Sequence, residues 1–583
     1  MSYQEKESFL LRRIFLFLHF HKRKENQMRF KGLIIFSILL LVFTGCGKKE
    51  TPTQNEVKVM KKKISQFKPS VIKYEKEKLT ENERKVIENL YKASKVIDRI
   101  FLEQVYYKNL EIEKKLSAAS DELGKLQYEY FKIMFGPFDR LDHDKPFYGN
   151  EPKPKGANFY PYDMTKAEFE NWLKAHPEDE ESFTSERTVI RREGKNLVAI
   201  PYPKAYEKES KEISNYLKEA AKYAENPSLK KYLLSRAEAF LTNDYFQSDM
   251  DWMDLKNHTI EAVIGPYEVY EDGLFNYKAA FESFVTIVDK EESRKLEKFG
   301  KYLTELEKNL PIPDKYKNFN RGKSSPIVVV NEVFNAGDAK AGVQTLAFNL
   351  PNDERVRKAK GSKKVMLKNI HEAKYQALLK PIAERVLDGE FLKDVTFDAF
   401  FTHTLMHEIS HGLGPGFITV NGRNTEVKRE LKETYSTIEE CKADVLGMFN
   451  NIFMIEKKEL PQELANQLWA TFLASVFRSV RFGINEAHGS GNAIIFNYLL
   501  ENGAYIYDEK TTKFKINYDK IYDVVKSLAN KLLIIQAQGD YAAAKKLIAD
   551  YVKLSPEMEV QIKKLKDLPV DIKPVFEIEK IYN

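Results

Sequence analysis

The sequence predicts an α+β protein with a mixed α/β part and a mostly helical part, the chain crossing between them more than once. Three observations carry that expectation. The chain has 583 residues, more than one hydrophobic core supports, since single cores stop growing near roughly 250–300 residues. Extended, aromatic text occupies 258–290, and SPIVVVNEVF at 325–334 reads as a buried strand. From 366 to 556 nearly every segment has helical periodicity, before an alternating stretch from Pro569 to Ile578. Hydrophobic residues at 43% with 12% aromatics mark a globular chain, not a disordered one.

At the N-terminus, Met28-Arg29-Phe30-Lys31 precedes the apolar run Gly32 to Phe43 and then Thr44-Gly45-Cys46. A basic start, an apolar stretch and a small-residue cleavage site make a secretory signal over 28–45. A Cys directly after the small residue resembles a bacterial lipobox, with Phe43 where Leu is more usual. It implies diacylation of Cys46 and an extracytoplasmic protein lipid-anchored to a bacterial membrane. An uncleaved apolar segment is the alternative. Residues 1–27 lie ahead of a complete signal that begins at a Met and read as a start-site artefact. Residues 1–45 hold eight Lys/Arg and three Asp/Glu, so they supply +5 of the formal +7 and leave the rest near +2. Nothing in that balance argues for nucleic acid as a partner. With Cys46 lipidated, Cys441 is the other of the two cysteines, and no intramolecular disulfide is expected.

Residues 46–60 are polar and read as a tether. Thr80-Glu81-Asn82-Glu83 has capping-box form, and apolar residues follow at helical spacing to about 135. The stretch 137–165, rich in Pro, Gly, Asp and Tyr, reads as a long irregular segment. Thr188 to Arg191 and Asn196 to Tyr202 flank Glu193-Gly194-Lys195 as a hairpin. Helix returns over 207–250 and, charged, over 291–309 until Pro311-Ile312-Pro313 breaks it. Thr345 to Asn349 reads as a strand.

His407-Glu408-Ile409-Ser410-His411 is HExxH. On a helix, histidines four apart share a face and reach one cation. Glu408 then stands where it can take a proton from a water that zinc acidifies, from a pKa of 15.7 to roughly 7. HExxH also arises by chance, as a packed or solvated helix face. His403 lies one turn earlier and reads as a neighbour, not a ligand. A second helix carries Glu439, Glu440 and Asp444 beside an apolar face of Ile438, Cys441, Val445, Met448 and Ile452. Carboxylates close to a packed face need a reason, and a cation supplies one. Glu440 can complete a His₂Glu set for one zinc ion, while Glu439 and Asp444 can receive the histidines' free ring N–H groups. His₂Glu favours zinc without excluding cobalt or manganese.

HEISHGLG followed by EECKAD resembles the paired motifs of the dipeptidyl-peptidase III family of zinc exopeptidases, HExxGH and EEC(R/K)A(D/E). IGPYEVY at 264–270, FNLPN at 348–352 and Glu486-Ala487-His488 are similar to three further family segments, in the same order across residues 255–505. Taken singly, Tyr270 would be a core or surface residue, Asn349 and Asn352 turn residues, and His488 a helix cap; the joint order lifts them. The resemblance implies zinc on His407, His411 and Glu440, Glu408 as general base, and Tyr270 and His488 as donors to a developing oxyanion. It implies that Glu268, Asn349 and Asn352 hold the amino end of a short peptide, whose dipeptides are released.

The fold implied is two lobes around a wide cleft: a mostly helical zinc-bearing lobe and a mixed lobe with a small barrel-like β core. The mixed lobe takes 61–288, 333–378 and 566–583, and the helical lobe 289–332 and 379–565. Two departures stand out. The histidine motif is one residue shorter than the family's, and Asn492 stands where larger members carry an Arg near the peptide. A zinc-holding peptide-binding lipoprotein with little turnover, and a zincin aminopeptidase or endopeptidase, remain alternatives. Nucleotide hydrolysis finds no support, since no sequence like GX5EX7REUXEEXGU occurs.

Overall fold

The computed structural model describes residues 52–319, 326–481 and 483–582. Cys46, the signal-like segment and the start of the expected tether lie outside them. Where the sequence reads as tether, residues Pro52–Ser65 form a helix whose Met60 is buried with Phe67, Tyr130 and Met134. From Pro52 onward the chain is one compact unit built on two large cores. The first draws on residues 72–287, 330–350, 365–370 and 572–578, the second on 296–329 and 366–565. These are the two lobes, and the chain enters each more than once. No helix among the described residues is long and apolar enough to cross a membrane.

Local chemistry sets the elements. Thr80 Oγ1 accepts from the Glu83 amide at 3.1 Å while Glu83 accepts from the Thr80 amide at 2.9 Å. That reciprocal cap starts the helix Glu81–Val105, which packs along the central sheet. Asp571–Phe576 pairs in parallel with Phe67–Ile72, so the strand expected near the C-terminus finds a partner the sequence did not announce. Two hairpins, Phe417–Val420 with Arg423–Glu426 and Tyr505–Asp508 with Lys513–Ile516, interrupt the stretch expected to be helical throughout. The first turns at Asn421-Gly422, both at positive φ, as a two-residue hairpin requires.

The central sheet has five strands, in the order Ile260–Glu268, Ala280–Val288, Ile327–Gly337, Lys363–Leu367 and Ala347–Leu350. It corrects the expected barrel-like core: this is an open sheet, with Ile260–Glu268 and Ala347–Leu350 as its edges. It curls far enough that Phe284 and Phe348, three strands apart, stack at 4.5 Å, and Lys363 reaches Glu261 across the interior at 3.3 Å. A bulge between Pro266 and Glu268 bends one edge away. The other edge is four residues long and runs into Pro351, which has no N–H for a ladder. Among the described residues no strand pairs its outer side, so its free donors and acceptors line a cavity between the lobes.

In the helical lobe Thr396 Oγ1 caps Phe397–His411 through the Ala399 amide at 3.2 Å. Gly412 ends it with ordinary right-handed φ, and the reversal falls on Gly414 at φ +83°. Tyr435–Glu456 packs against this helix, and Ala487–Glu501 against Tyr435–Glu456. The last contact is close because Gly491 has no side chain: a Cβ there would lie 3.0 Å from the Cys441 amide nitrogen and 3.2 Å from its Cα. Gly491→Ala is therefore expected to push the helices apart, lowering stability by about 1–3 kcal/mol. A thermal melt of the variant beside the parent chain measures it.

Candidate metal centre

Three helices bring the motif residues together. His407 and His411 lie one turn apart on Phe397–His411, and Glu439, Glu440 and Asp444 face them from Tyr435–Glu456. Each histidine is oriented from behind. Asp444 Oδ1 accepts from His407 Nδ1 at 2.7 Å, and Glu439 Oε1 from His411 Nδ1 at 2.9 Å. The carboxylates are themselves held. Asn492 donates to Asp444 at 3.0 Å, Gln536 to Glu439 at 2.8 Å, and Lys442 pairs with Glu439 at 2.8 Å. Burial alone would raise the Glu439 carboxyl, but Lys442 and His411 outweigh it and hold it near about 2. Burial likewise opposes ionisation of Asp444, yet His407 above all holds it below the usual carboxylate range.

With both Nδ1 atoms facing carboxylates, both Nε2 atoms are turned toward a shared site and lie 3.1 Å apart. Glu440 Oε2 joins them, 3.4 Å from His407 Nε2 and 3.7 Å from His411 Nε2. That oxygen is buried and accepts no hydrogen bond. Three such atoms can offer their lone pairs to one cation placed between them. Zinc bonds of about 2.0–2.1 Å in tetrahedral geometry separate ligand atoms by about 3.3–3.4 Å. The observed triangle fits a zinc ion.

Proximity alone also groups His407, Glu440 and His488, whose ligand atoms lie within 4.8 Å of one another. His488 Nε2 is 3.3 Å from Glu440 Oε2. Its side chain is 60% exposed, however, and its Nδ1 stands a loose 3.5 Å from Glu486. His411 has the tighter backing and the shorter approach to His407, so the geometry favours His411 as the third donor. His403 stays apart, its Nε2 3.3 Å from the Asp444 carbonyl and its ring packed on Phe472.

Glu408 is partly exposed and lines a cavity with His407 and His488. Its carbonyl, one of the helix's last, accepts from Lys364, and Lys442 bonds the His411 and Leu413 carbonyls at 3.4 and 3.1 Å. Two lysines thus satisfy the negative end of the helix that carries the histidines. Sequence reasoning missed Lys364; its signal was a cation on the strand directly opposite Asn349.

The remaining motif residues gather on the sheet side. Asn352 donates to the Tyr267 carbonyl at 3.0 Å and approaches Glu268 at 3.5 Å. Burial raises the Glu268 carboxyl, against hydrogen bonds from Asn352 and Tyr270. Tyr270 is pushed up to about 12, chiefly by Glu268. It is 80% exposed and sits with Glu268, not with the histidines. Asn349 lies on the edge strand, its Oδ1 buried and unpartnered, and lines one cavity of about 1050 Å³ together with Lys364, Ile409 and His411. Asn492 donates to Asp444 and also lines a second cavity with His407, Glu408 and His488.

The model of peptidase family M49 matches residues 165–421. A solved structure of DPP III from Caldithrix abyssi superposes with a TM-score of 0.89 at 67% identity, covering 90% of this chain and all of that one. Dipeptidyl-peptidase III from Corallococcus sp. strain EGB superposes with a TM-score of 0.80 at 43% identity, covering 90% and 98%. Nudix hydrolase 3 of Arabidopsis thaliana is 38% identical over 89% of this chain and 74% of that protein. Human dipeptidyl peptidase 3 is 23% identical over 59% of this chain and 53% of its own length.

Removing a carboxylate behind a ligand should weaken the centre without touching the ligand. Asp444→Asn is expected to lower zinc affinity about 10–100-fold, measured by competition with a chromophoric chelator.

Proposed function

The chain belongs to peptidase family M49, and from that premise we propose that it releases dipeptides from the amino end of short peptides in a zinc-dependent reaction. That it is a metallopeptidase follows from the family. The dipeptide ruler is our reading. The observation that carries it is the buried, unpartnered Oδ1 of half-buried Asn349 on an open sheet edge, in one cavity with His411 and three residues from the Asn352 that approaches Glu268.

In this reading His407 Nε2, His411 Nε2 and Glu440 hold the metal. Zinc bound there supplies polarisation of the scissile carbonyl and acidification of water. Glu408 takes the proton of the attacking water on its carboxylate and delivers it to the leaving amine. The peptide adds to the edge strand Ala347–Leu350, where Asn349 accepts a main-chain N–H. Glu268 and the Asn352 amide oxygen receive the α-ammonium, so the chain is counted from its charged end. His488 donates to the developing oxyanion, a contact typically worth about 3 kcal/mol. Tyr270 is a second donor, but only after it leaves Glu268, which makes lobe closure the step that assembles the site and expels water.

A zinc-holding peptide-binding protein of low turnover is the second reading, and the pairing of Tyr270 with Glu268 favours it. Nucleotide hydrolysis, named for the Arabidopsis relative, has no corresponding motif in this chain. The lipobox-like Thr44-Gly45-Cys46 supports an anchor on the outer side of a bacterial membrane.

Mass spectrometry of products from tri- to decapeptides, with and without chelator, tests the ruler. Chelator-sensitive release of dipeptides is expected; single residues or internal cuts would remove the roles given to Glu268, Asn349 and Asn352. Glu408→Gln is expected to lower kcat about 10²–10⁴-fold with zinc content unchanged. Unchanged turnover in that variant would support the binder.

A further inference from the structure

A second cavity, of about 480 Å³, opens on the other side of the histidines. Its size lies within the roughly 300–1,000 Å³ of small-ligand sites. His407, Glu408 and His488 form one wall, residues 343–347 another, and Arg478 stands at the side. Arg478 belongs to the helix Leu464–Val480 and lies 5.8 Å from the Phe400 ring centre.

The state of that guanidinium is unusual. Its Nε is buried without a partner, and among the described residues no hydrogen bond or ion pair engages it. Of its charged neighbours on the cavity wall, the Glu408 carboxylate has no hydrogen bond or ion pair among the described residues, while the others are engaged. Asp444 is held by His407 and Asn492, Glu486 by the His488 and Gly489 amides, and Lys374 by Asp571 and the Gln344 carbonyl. A half-buried guanidinium whose Nε is cut off from water without a partner, and which feels Asp571 and Asp444 only through space, is unfavourable. Its planar fork of donors matches a carboxylate.

The direction of the peptide says which carboxylate. Asn352 and Asn349 lie at the end that receives the ammonium, and residues 343–347 lie at the other, beside Arg478. A peptide added antiparallel to this segment, amino end at Glu268, passes the metal centre and carries its carboxyl end into the second cavity.

Resting on the dipeptide-releasing reading, we propose that Arg478 is the binding residue for the free α-carboxylate of the substrate. The enzyme is then a two-ended clamp, selecting short peptides whose carboxyl terminus reaches Arg478 while the amino terminus sits on Glu268. Burial of the guanidinium, which lowers its proton affinity against the pull of Asp571 and Asp444, is consistent with a site that gains from an arriving anion.

The test compares tetrapeptides as free acids and as C-terminal amides, using the zinc-loaded chain, Arg478→Gln and Arg478→Lys. The parent enzyme should cleave the free acid with kcat/KM about 10–100-fold above the amide, the range of a charge-assisted hydrogen bond. Arg478→Gln should lose that ratio and Arg478→Lys keep part of it. Equal rates on acid and amide in the parent enzyme would overturn the proposal, and this arm stands even if a variant fails to fold. A ratio that survives Arg478→Gln would overturn it too. Amidated peptides ending in Glu, compared with Gln, distinguish a side-chain carboxylate as the source; preference for Glu that depends on Arg478, without preference for the free acid, would overturn the α-carboxylate assignment. Dipeptide release from a dipeptidyl arylamide, which has no carboxyl end, checks the underlying reading separately.

Discussion

Three potential ligand atoms, His407 Nε2, His411 Nε2 and Glu440 Oε2, lie within 3.1–3.7 Å of one another, and much of the helical lobe is arranged to keep them there. Asp444 and Glu439 hold the two rings by their far nitrogens, so that each Nε2 is turned inward. Asn492, Gln536 and Lys442 then fix the carboxylates. A cation bound there would draw the three atoms together, which couples metal affinity to the folding of this lobe.

The same constraint explains features with no direct contact to the centre. Carboxylates and imidazoles meet from two helices, and Asn492 braces Asp444 from a third, so the helices approach closely. Gly491 permits the contact with Cys441, and Gly447 another, since a Cβ there would lie 3.2 Å from His403 Nε2. Lys364 and Lys442 satisfy the carbonyls at the end of the histidine helix. Lys364 comes from the sheet, on the strand paired with Ala347–Leu350, so the peptide edge and the metal helix are joined by one hydrogen bond.

Much of this was legible in the sequence, unevenly. That His407, His411 and Glu440 come close together was readable because helical spacing is rigid: histidines four positions apart on one helix, and Glu440 to Asp444 on a second, leave few ways to fold. The backing carboxylates were readable for the same reason. The strand at 325–334 and the hairpin around Gly194 were visible as short apolar runs bounded by turn residues. The strand Lys363–Leu367 was not, because its two lysines break the alternation and their purpose appears only once Glu261 and Glu408 are in place. The hairpin at Asn421-Gly422 carried its signal, and the helical periodicity around it hid that signal. Whether the sheet closes depends on the curl and on a four-residue edge, which no local pattern encodes. The partners of Tyr270, Asn492 and Arg478 are set by contacts between segments far apart in sequence, so their places were beyond local reading.

The account turns on which side chains would hold the metal, and the competition is between His411 and His488. Crystals of the zinc-loaded protein, with anomalous data on both sides of the zinc edge, decide it most directly. The account expects one anomalous peak about 2.0–2.1 Å from His407 Nε2 and His411 Nε2 and bonded to Glu440, with Asp444 and Glu439 still on the far nitrogens. A peak held by His407, Glu440 and His488, or none at full zinc loading, would contradict it.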